Sequence, residues 1–410
     1  MHSLFKGVFL FALALLVSCS PNPKCPTESL EEAKKTQRAL ADFAVNLYKN
    51  ASAQQEEGKN QVISPISVAL ALAMLENGAN GRSRQQLDKD LVDNAASDQV
   101  LSVYRALERQ LTIDQPKTKL QIANGIYHSL ETQLKQDYQQ STQQCLDAQV
   151  QNADFKNQLE QARQKINKFI SDKTQNKIAE LFKKGVLSQE TEVVLASAIY
   201  LKASWQNAFD KKETKQGPFY KQGQQAQQAQ FMQAEGQYRY SADDQLQAVE
   251  LKYNQADLSL YVLLPKQRDG LKELEQSLDG NKLQSILSKL APQKVQVQLP
   301  KYAVRSPSDL KQVLSKMGLD SLFNRQADLS RLSDKKLQIS QAVHEAYLTI
   351  NEDGTEAAAG TGIGGVAAMA PLPGDATPFI ADHPFLYTIV HNPTSAVLFI
   401  GKVNQVEQQA

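Results

Sequence analysis

A phosphate-cradling glycine loop, a zinc-binding helix and a nucleophile elbow each need particular residue types at fixed spacing. The chain matches one of these spacings. Gly360-Thr361-Gly362-Ile363-Gly364-Gly365 has the G-x-G-x-x-G pattern of a dinucleotide loop. That chemistry also needs a helix directly after the loop, with its N-terminus facing the pyrophosphate. Here Pro371, Pro373 and Pro378 follow instead, and too little chain remains for a nucleotide-binding half. His344-Glu345 would begin a zinc-protease helix, but Leu348 stands where the second histidine is needed. No Gly-x-Ser-x-Gly elbow and no loop ending in Gly-Lys-Ser/Thr occurs. With five histidines and three cysteines, no metal-ligand spacing emerges. The residues therefore predict no catalytic group, no metal and no cofactor.

The glycines belong to a longer run, Glu352 to Ala370, built almost wholly of small residues. Such a stretch can neither form a core nor grip a ligand through side chains. It can stay extended on a surface, or slide between two strands where bulkier side chains would clash. Alternation supports the second use: Thr355, Ala357, Ala359, Thr361 and Ile363 would share one face of a strand, with Glu356, Ala358, Gly360 and Gly362 on the other. The run follows a clear strand pattern, Ala346 to Ile350.

The elements that must position this run are readable upstream. Glu31 to Tyr48 has apolar residues at helical spacing. Ser64 is an N-cap with Pro65 at the first helical position. The stretch that follows, Val68 to Leu75, is apolar all round, as a fully buried helix beneath a sheet would be. Glu192 to Ser204, Leu246 to Leu251, Leu258 to Leu264 and Val295 to Leu299 read as strands. Ser308 to Gly318 reads as a helix closed by glycine. The Gln-rich pieces around Gln139 to Gln144 and Gln222 to Gln230 read as solvated surface.

Six segments together resemble the serpin family, in its order and spacing over roughly residues 35 to 405. They are Ile63-Ser64-Pro65-Ile66-Ser67 with Leu75-Glu76-Asn77-Gly78-Ala79; Ala198 to Trp205 with Phe209; Val262-Leu263-Leu264-Pro265; Leu299-Pro300-Lys301-Tyr302; His344-Glu345-Ala346 leading into Asn351 to Ala359; and Ala381-Asp382-His383-Pro384-Phe385-Leu386 with His391-Asn392-Pro393 and Val397 to Val403. The resemblance implies an α+β single domain with a large central β-sheet, flanking helices and an exposed reactive-centre loop at about 352–380.

It also implies a function. A serine protease, or some cysteine proteases, would cleave the loop and form an acyl-enzyme. The freed hinge (Glu352, Gly354, Thr355, Glu356, Ala357, Ala358, Ala359) would then insert into the sheet and trap the enzyme. Ser64, Ser67, Ser197 and His344 match positions that hold the sheet shut. Ser197 stands where the family usually has asparagine, which implies a smaller network. Trp205 matches the residue under the insertion point, and Lys301 with Glu352 a hinge ion pair, here expected at the surface. As simpler readings, Ser64 is a plain cap, His344 a satisfied core histidine and Trp205 an ordinary core residue.

Counting from Glu352 puts the reactive bond at Ala368-Met369; Ala367 and Ala370 are alternatives, and counting back from Phe385 gives Pro373. These small apolar side chains suit an elastase-like pocket, and no Lys or Arg lies between Glu352 and Pro384. A non-inhibitory binding or storage protein of the same fold is the second reading, and an exported enzyme the third.

Composition bounds the rest. At 410 residues, 41% hydrophobic and 22% charged, the chain is ordinary globular protein. A net charge of +1 provides no field to attract nucleic acid, and a monomer is expected. Lys6 precedes an apolar run, Val8 to Val17, of signal-peptide length. The run ends in Leu16-Val17-Ser18-Cys19, which resembles the bacterial lipobox. That divides the chain into a signal peptide (1–18), a tether (19–30) with Cys19 lipidated, and the domain (31–405). The resemblance implies an exported lipoprotein of the cell envelope, with Ser20 matching outer-membrane sorting. An ordinary signal peptide with an incidental cysteine is the alternative. Export implies an oxidising compartment, where Cys25 and Cys145 either pair or remain free thiols.

Overall fold

The computed structural model describes residues 25–26, 30–93, 99–221, 226–254, 257–355 and 375–406. Two sheets and the helices around them form the domain expected from the sequence. The central sheet has seven strands among the described residues. In chain order they are β1 (Ile113–Gln115), β2 (Thr118–Ser129), β3 (Gln149–Ala153), β4 (Val193–Ser204), β5 (Tyr302–Asp309), β6 (Ile339–Asn351) and the two-residue β7 (Gly354–Thr355). Their spatial order is β5-β6-β7-β4-β2-β1, with β3 also on β2. The second sheet carries the strands 246–252, 258–265, 291–300, 385–391 and 396–403, among others.

Strand β4 shows why the central sheet sits in the middle. Its sequence, Val-Val-Leu-Ala-Ser-Ala-Ile-Tyr-Leu-Lys-Ala-Ser, is apolar at nearly every position, and ten of its first eleven residues are buried. Both faces of the strand are therefore covered, as such a run requires. Leu195, Ile199, Leu201 and Ala203 join the main core. Val194, Ala196 and Ala198 face the opposite way, into a smaller cluster. Helix α1 (Pro65–Gly78) lies under the inner face and is buried at all fourteen positions. Its apolar sequence has no face to offer water, and it is enclosed by β2, β4 and the strand 396–403. Helix α2 (Gln136–Cys145) flanks β3, and α3 (Leu159–Lys173) covers the outer face through Ala162, Ile166 and Ile170.

Several expectations need correction. The predicted N-terminal helix is two helices, Leu30–Lys35 and Gln37–Ser52. The buried Thr36 stands between them, its hydroxyl donating to the Ala33 carbonyl (2.8 Å) instead of continuing the periodicity. The helix expected over Ser308 to Gly318 begins only at Leu310, because Ser308 and Asp309 still belong to β5; it widens from Ser315, and Gly318 at φ +94° closes it as expected. The described part of the Gln-rich piece is surface, as expected, with Gln228 and Gln230 exposed, and it also forms the start of a long strand, Ala226–Ala242. Of the two outcomes left open for Cys25 and Cys145, pairing is the one found: a disulfide joins Cys25 to Cys145 at the end of α2, 120 residues away. Arg105 adds a hydrogen bond to the Pro26 carbonyl (2.9 Å).

Candidate functional site at the head of the central sheet

Strands β4 and β6 run parallel and pair directly from Val193/Ile339 to Ile199/Ala346. Beyond that point they part, and β7 lies between them. Thr355 faces Ile350 on one side and Ala203 on the other, antiparallel to both neighbours. The chain enters this slot by a tight reversal. Asn351 Oδ1 accepts the N–H groups of Asp353 (2.9 Å) and Gly354 (3.2 Å), an Asx turn. Gly354 sits at φ +140°, and a Cβ there would run into the Ala203 carbonyl, so glycine is required.

Side chains from other elements hold the reversal. Trp205 donates its indole N–H to the Asn351 carbonyl (2.9 Å) and its backbone N–H to that of Asp353 (3.0 Å). Its ring stacks on Tyr253, with centroids 4.5 Å apart, and meets Phe209 edge-on. The Tyr253 hydroxyl in turn lies 2.6 Å from Thr355 Oγ1. Glu352 Oε1 accepts from Thr214 (2.8 Å) and pairs with Lys301 (3.2 Å). Burial alone would raise the Glu352 pKa, but a hydrogen bond from its own backbone N–H, with those from Thr214 and Lys301 and the Lys301 charge, outweighs it and holds the carboxyl below its usual value. This pair is not the surface contact expected, because the Glu352 side chain is only 7% exposed. Asp353 pairs with Lys211 (2.8 Å).

Further down, where β4 and β6 close, a buried polar cluster joins α1 to both strands. The Ser64 N–H donates to His344 Nε2 (3.1 Å), so that nitrogen is an acceptor and the ring proton resides on Nδ1. Nδ1–H then donates to Ser197 Oγ (3.1 Å), and the Ser197 hydroxyl is free to donate to Ser67 Oγ (2.9 Å). Ser67 passes its proton toward the Ala198 carbonyl (3.2 Å). Ser64 Oγ also caps α1 by accepting from the Ser67 N–H. Asn124 of β2 completes the group: its amide donates to the Ser67 carbonyl (3.0 Å). An amide therefore joins the cluster from the strand next to Ser197. Burial pushes the His344 pKa down to about 3. A histidine that donates to a serine cannot also take that serine's proton, so this Ser–His contact is not a nucleophile and its base.

The structure brings Ser64, Ser67, Ser197 and His344 together in one cluster, and Trp205, Lys301, Glu352, Gly354 and Thr355 in another; sequence reasoning named all nine. It missed Asn124, Lys211, Thr214 and Tyr253. A signal existed for one of them, since Asn124 interrupts the apolar stretch Ile122-Ala123-Asn124-Gly125-Ile126. The remaining hinge residues Glu356, Ala357, Ala358 and Ala359, the reactive-bond candidates Ala367, Ala368, Met369, Ala370 and Pro373, and Cys19 lie outside the described residues.

A two-residue strand, β7, thus fills the place where β4 and β6 part. The family model described as Serpin (serine protease inhibitor) matches residues 38–406, and the chain belongs to the serpin family. It is similar to a leukocyte elastase inhibitor of Sus scrofa, 33% identical over 88% of this chain and 97% of that protein. It is equally similar to Iripin-2 of Ixodes ricinus, 33% identical over 96% and 97%. Among solved structures, human thyroxine-binding globulin with thyroxine superposes with a TM-score of 0.83 at 26% identity, covering 92% of this chain and all of the other.

Proposed function

We propose that this serpin is a suicide inhibitor of elastase-like serine proteases, and of some cysteine proteases, acting as a lipid-anchored monomer on a bacterial envelope. The observation that carries the reading is β7: two residues of the loop root already lie between β4 and β6, antiparallel to both. A strand continuing from Thr355 in this register would run Ala357 between Leu348 and Leu201, then Ala359 between Ala346 and Ile199. Inserted backbone nets about 0.5–1.5 kcal/mol per hydrogen bond, so a dozen bonds reach on the order of 10 kcal/mol. That is enough to displace an acyl-linked protease before its water attacks. The uncleaved form is then held by a barrier, with the His344 cluster and the Glu352 pair as its closures.

The target class rests on the small apolar residues at Ala367 to Ala370 and on the likeness to a leukocyte elastase inhibitor. Export is supported by the Cys25–Cys145 disulfide, which suits an oxidising compartment. Lipidation at Cys19 rests on the Leu16-Val17-Ser18-Cys19 pattern, and Cys19→Ala should release the protein from the membrane fraction.

The test is incubation with elastase, followed by denaturing electrophoresis and mass spectrometry. A complex that survives SDS, with cleavage at Ala368-Met369 or a neighbouring candidate bond, is expected. Clean cleavage with no complex would sink the proposal in favour of a binding protein, a role that the thyroxine-binding globulin shows this fold can host.

A further inference from the structure

Thr355 is fully buried, and the Tyr253 hydroxyl, also buried, is its hydrogen-bond partner among the described residues (2.6 Å). Sterically, alanine would fill the same inward position, so the hydroxyl at 355 needs its own explanation. Burial raises the Tyr253 pKa, which keeps the phenol a neutral donor. If the loop root left the slot, that hydroxyl would lose its partner in an apolar setting formed by Trp205 and its neighbours. Tyr253 is therefore placed to favour the docked root over the free one.

The same contact can read register. A slip by one residue would turn every side chain of an inserting strand to the opposite face. It would point Glu356 inward, between Leu348 and Leu201 or their neighbours, and carry the Thr355 hydroxyl out of reach. We infer that Tyr253 is a positioning residue of the trap: it holds Thr355 in the sheet before cleavage and so fixes the register from which the rest of the loop inserts. This rests on the inhibitor reading above for its kinetic consequence, but not for the docking itself.

An acyl-enzyme divides between insertion, which traps it, and deacylation, which releases cleaved product. A docked root lets insertion extend an existing strand, whereas a free root must first form one. Two variants remove the contact at little steric cost, Tyr253→Phe and Thr355→Val. Each should speed hydrogen exchange in the peptide 351–355 by roughly two- to tenfold, the usual effect of one neutral hydrogen bond. Each should also raise the stoichiometry of inhibition by elastase while leaving the acylation rate unchanged, which a merely structural role would not do. The double variant should add nothing further, and Thr355→Ser, which keeps the hydroxyl, should behave as wild type. Unchanged exchange, faster exchange with unchanged stoichiometry, or additive effects in the double variant would each overturn the inference. If even wild type forms no complex with elastase, the inhibitor reading fails, and the exchange measurement alone decides whether Tyr253 holds the root.

Discussion

Acidification should loosen the central sheet through His344. The imidazole has an ordinary pKa of 6.5, and burial pushes it to about 3 in the folded protein. Between those values the unfolded chain binds a proton that the folded chain refuses. Stability is therefore full above 6.5, falls as pH drops below it, and levels off below about 3. At about 1.36 kcal/mol per unit, the loss reaches about 2 kcal/mol at pH 5. The structural consequence is specific. An imidazolium has no lone pair to accept the Ser64 N–H, so the proton is taken up only when the contact between the first turn of α1 and β6 opens. His128 and His391, also lowered by burial, act in the same direction. Glu76 and Asp90, raised by burial to about 8 and about 6, act in the opposite one. The measurement is therefore a difference. Denaturant midpoints of the uncleaved protein are taken from pH 7.5 to 4.5 for wild type and His344→Gln, whose amide oxygen can still accept but whose side chain does not titrate. The wild-type curve should fall more steeply below pH 6.5, and parallel curves would refute the argument.

Two further perturbations test other parts of the structure. Thr355→Arg would bury an unpaired charge in the slot. It should convert the inhibitor into a substrate that elastase cleaves without forming a stable complex, and an undiminished complex would contradict the insertion mechanism. Cys145→Ser opens a loop closed across 120 residues, which by chain entropy alone removes about 5 kcal/mol. The variant should unfold at lower denaturant, reductant should lower wild type to the same midpoint, and a wild type insensitive to reductant would remove the disulfide from the account.

Much of this architecture was legible because it is written locally. The apolar periodicity of Val68 to Leu75 identifies a helix with no solvent face, and α1 has none. The run Glu192 to Ser204 is too apolar for a one-sided strand, and β4 is covered on both faces. What escaped depends on pairs far apart in sequence. Nothing around Asn124 says that it will meet Ser67, and nothing around Tyr253 points to Thr355. The burial of Glu352 was misjudged for the same reason, since Thr214 and Lys301 come from distant segments. Cys25 and Cys145 left two outcomes open, because spacing carries no information on which sulfurs approach.

The register of β7 also changes how the glycines of the loop should be weighed. By strand propensity alone they would count against insertion, because glycine weakens a strand. On the proposed insertion, however, Gly360, Gly362 and Gly364 would fall on the outer face, beside Ala198, Ala196 and Val194. That face is covered by α3 and its cluster, including Ile166, Ile170 and Phe182. Side chains there would have to displace the helix, and glycine does not. On the inner face, Thr361 would arrive between His344 and Ser197, the pair whose hydrogen bond must break for β4 and β6 to separate. Its hydroxyl can accept from the imidazole Nδ1–H and donate to the serine, so both groups regain partners as the strand passes. The loop's composition thus reads as fitted to two successive obstacles, a helix above the slot and a polar clasp within it. A loop needing only flexibility would require neither the alternation nor a hydroxyl at 361.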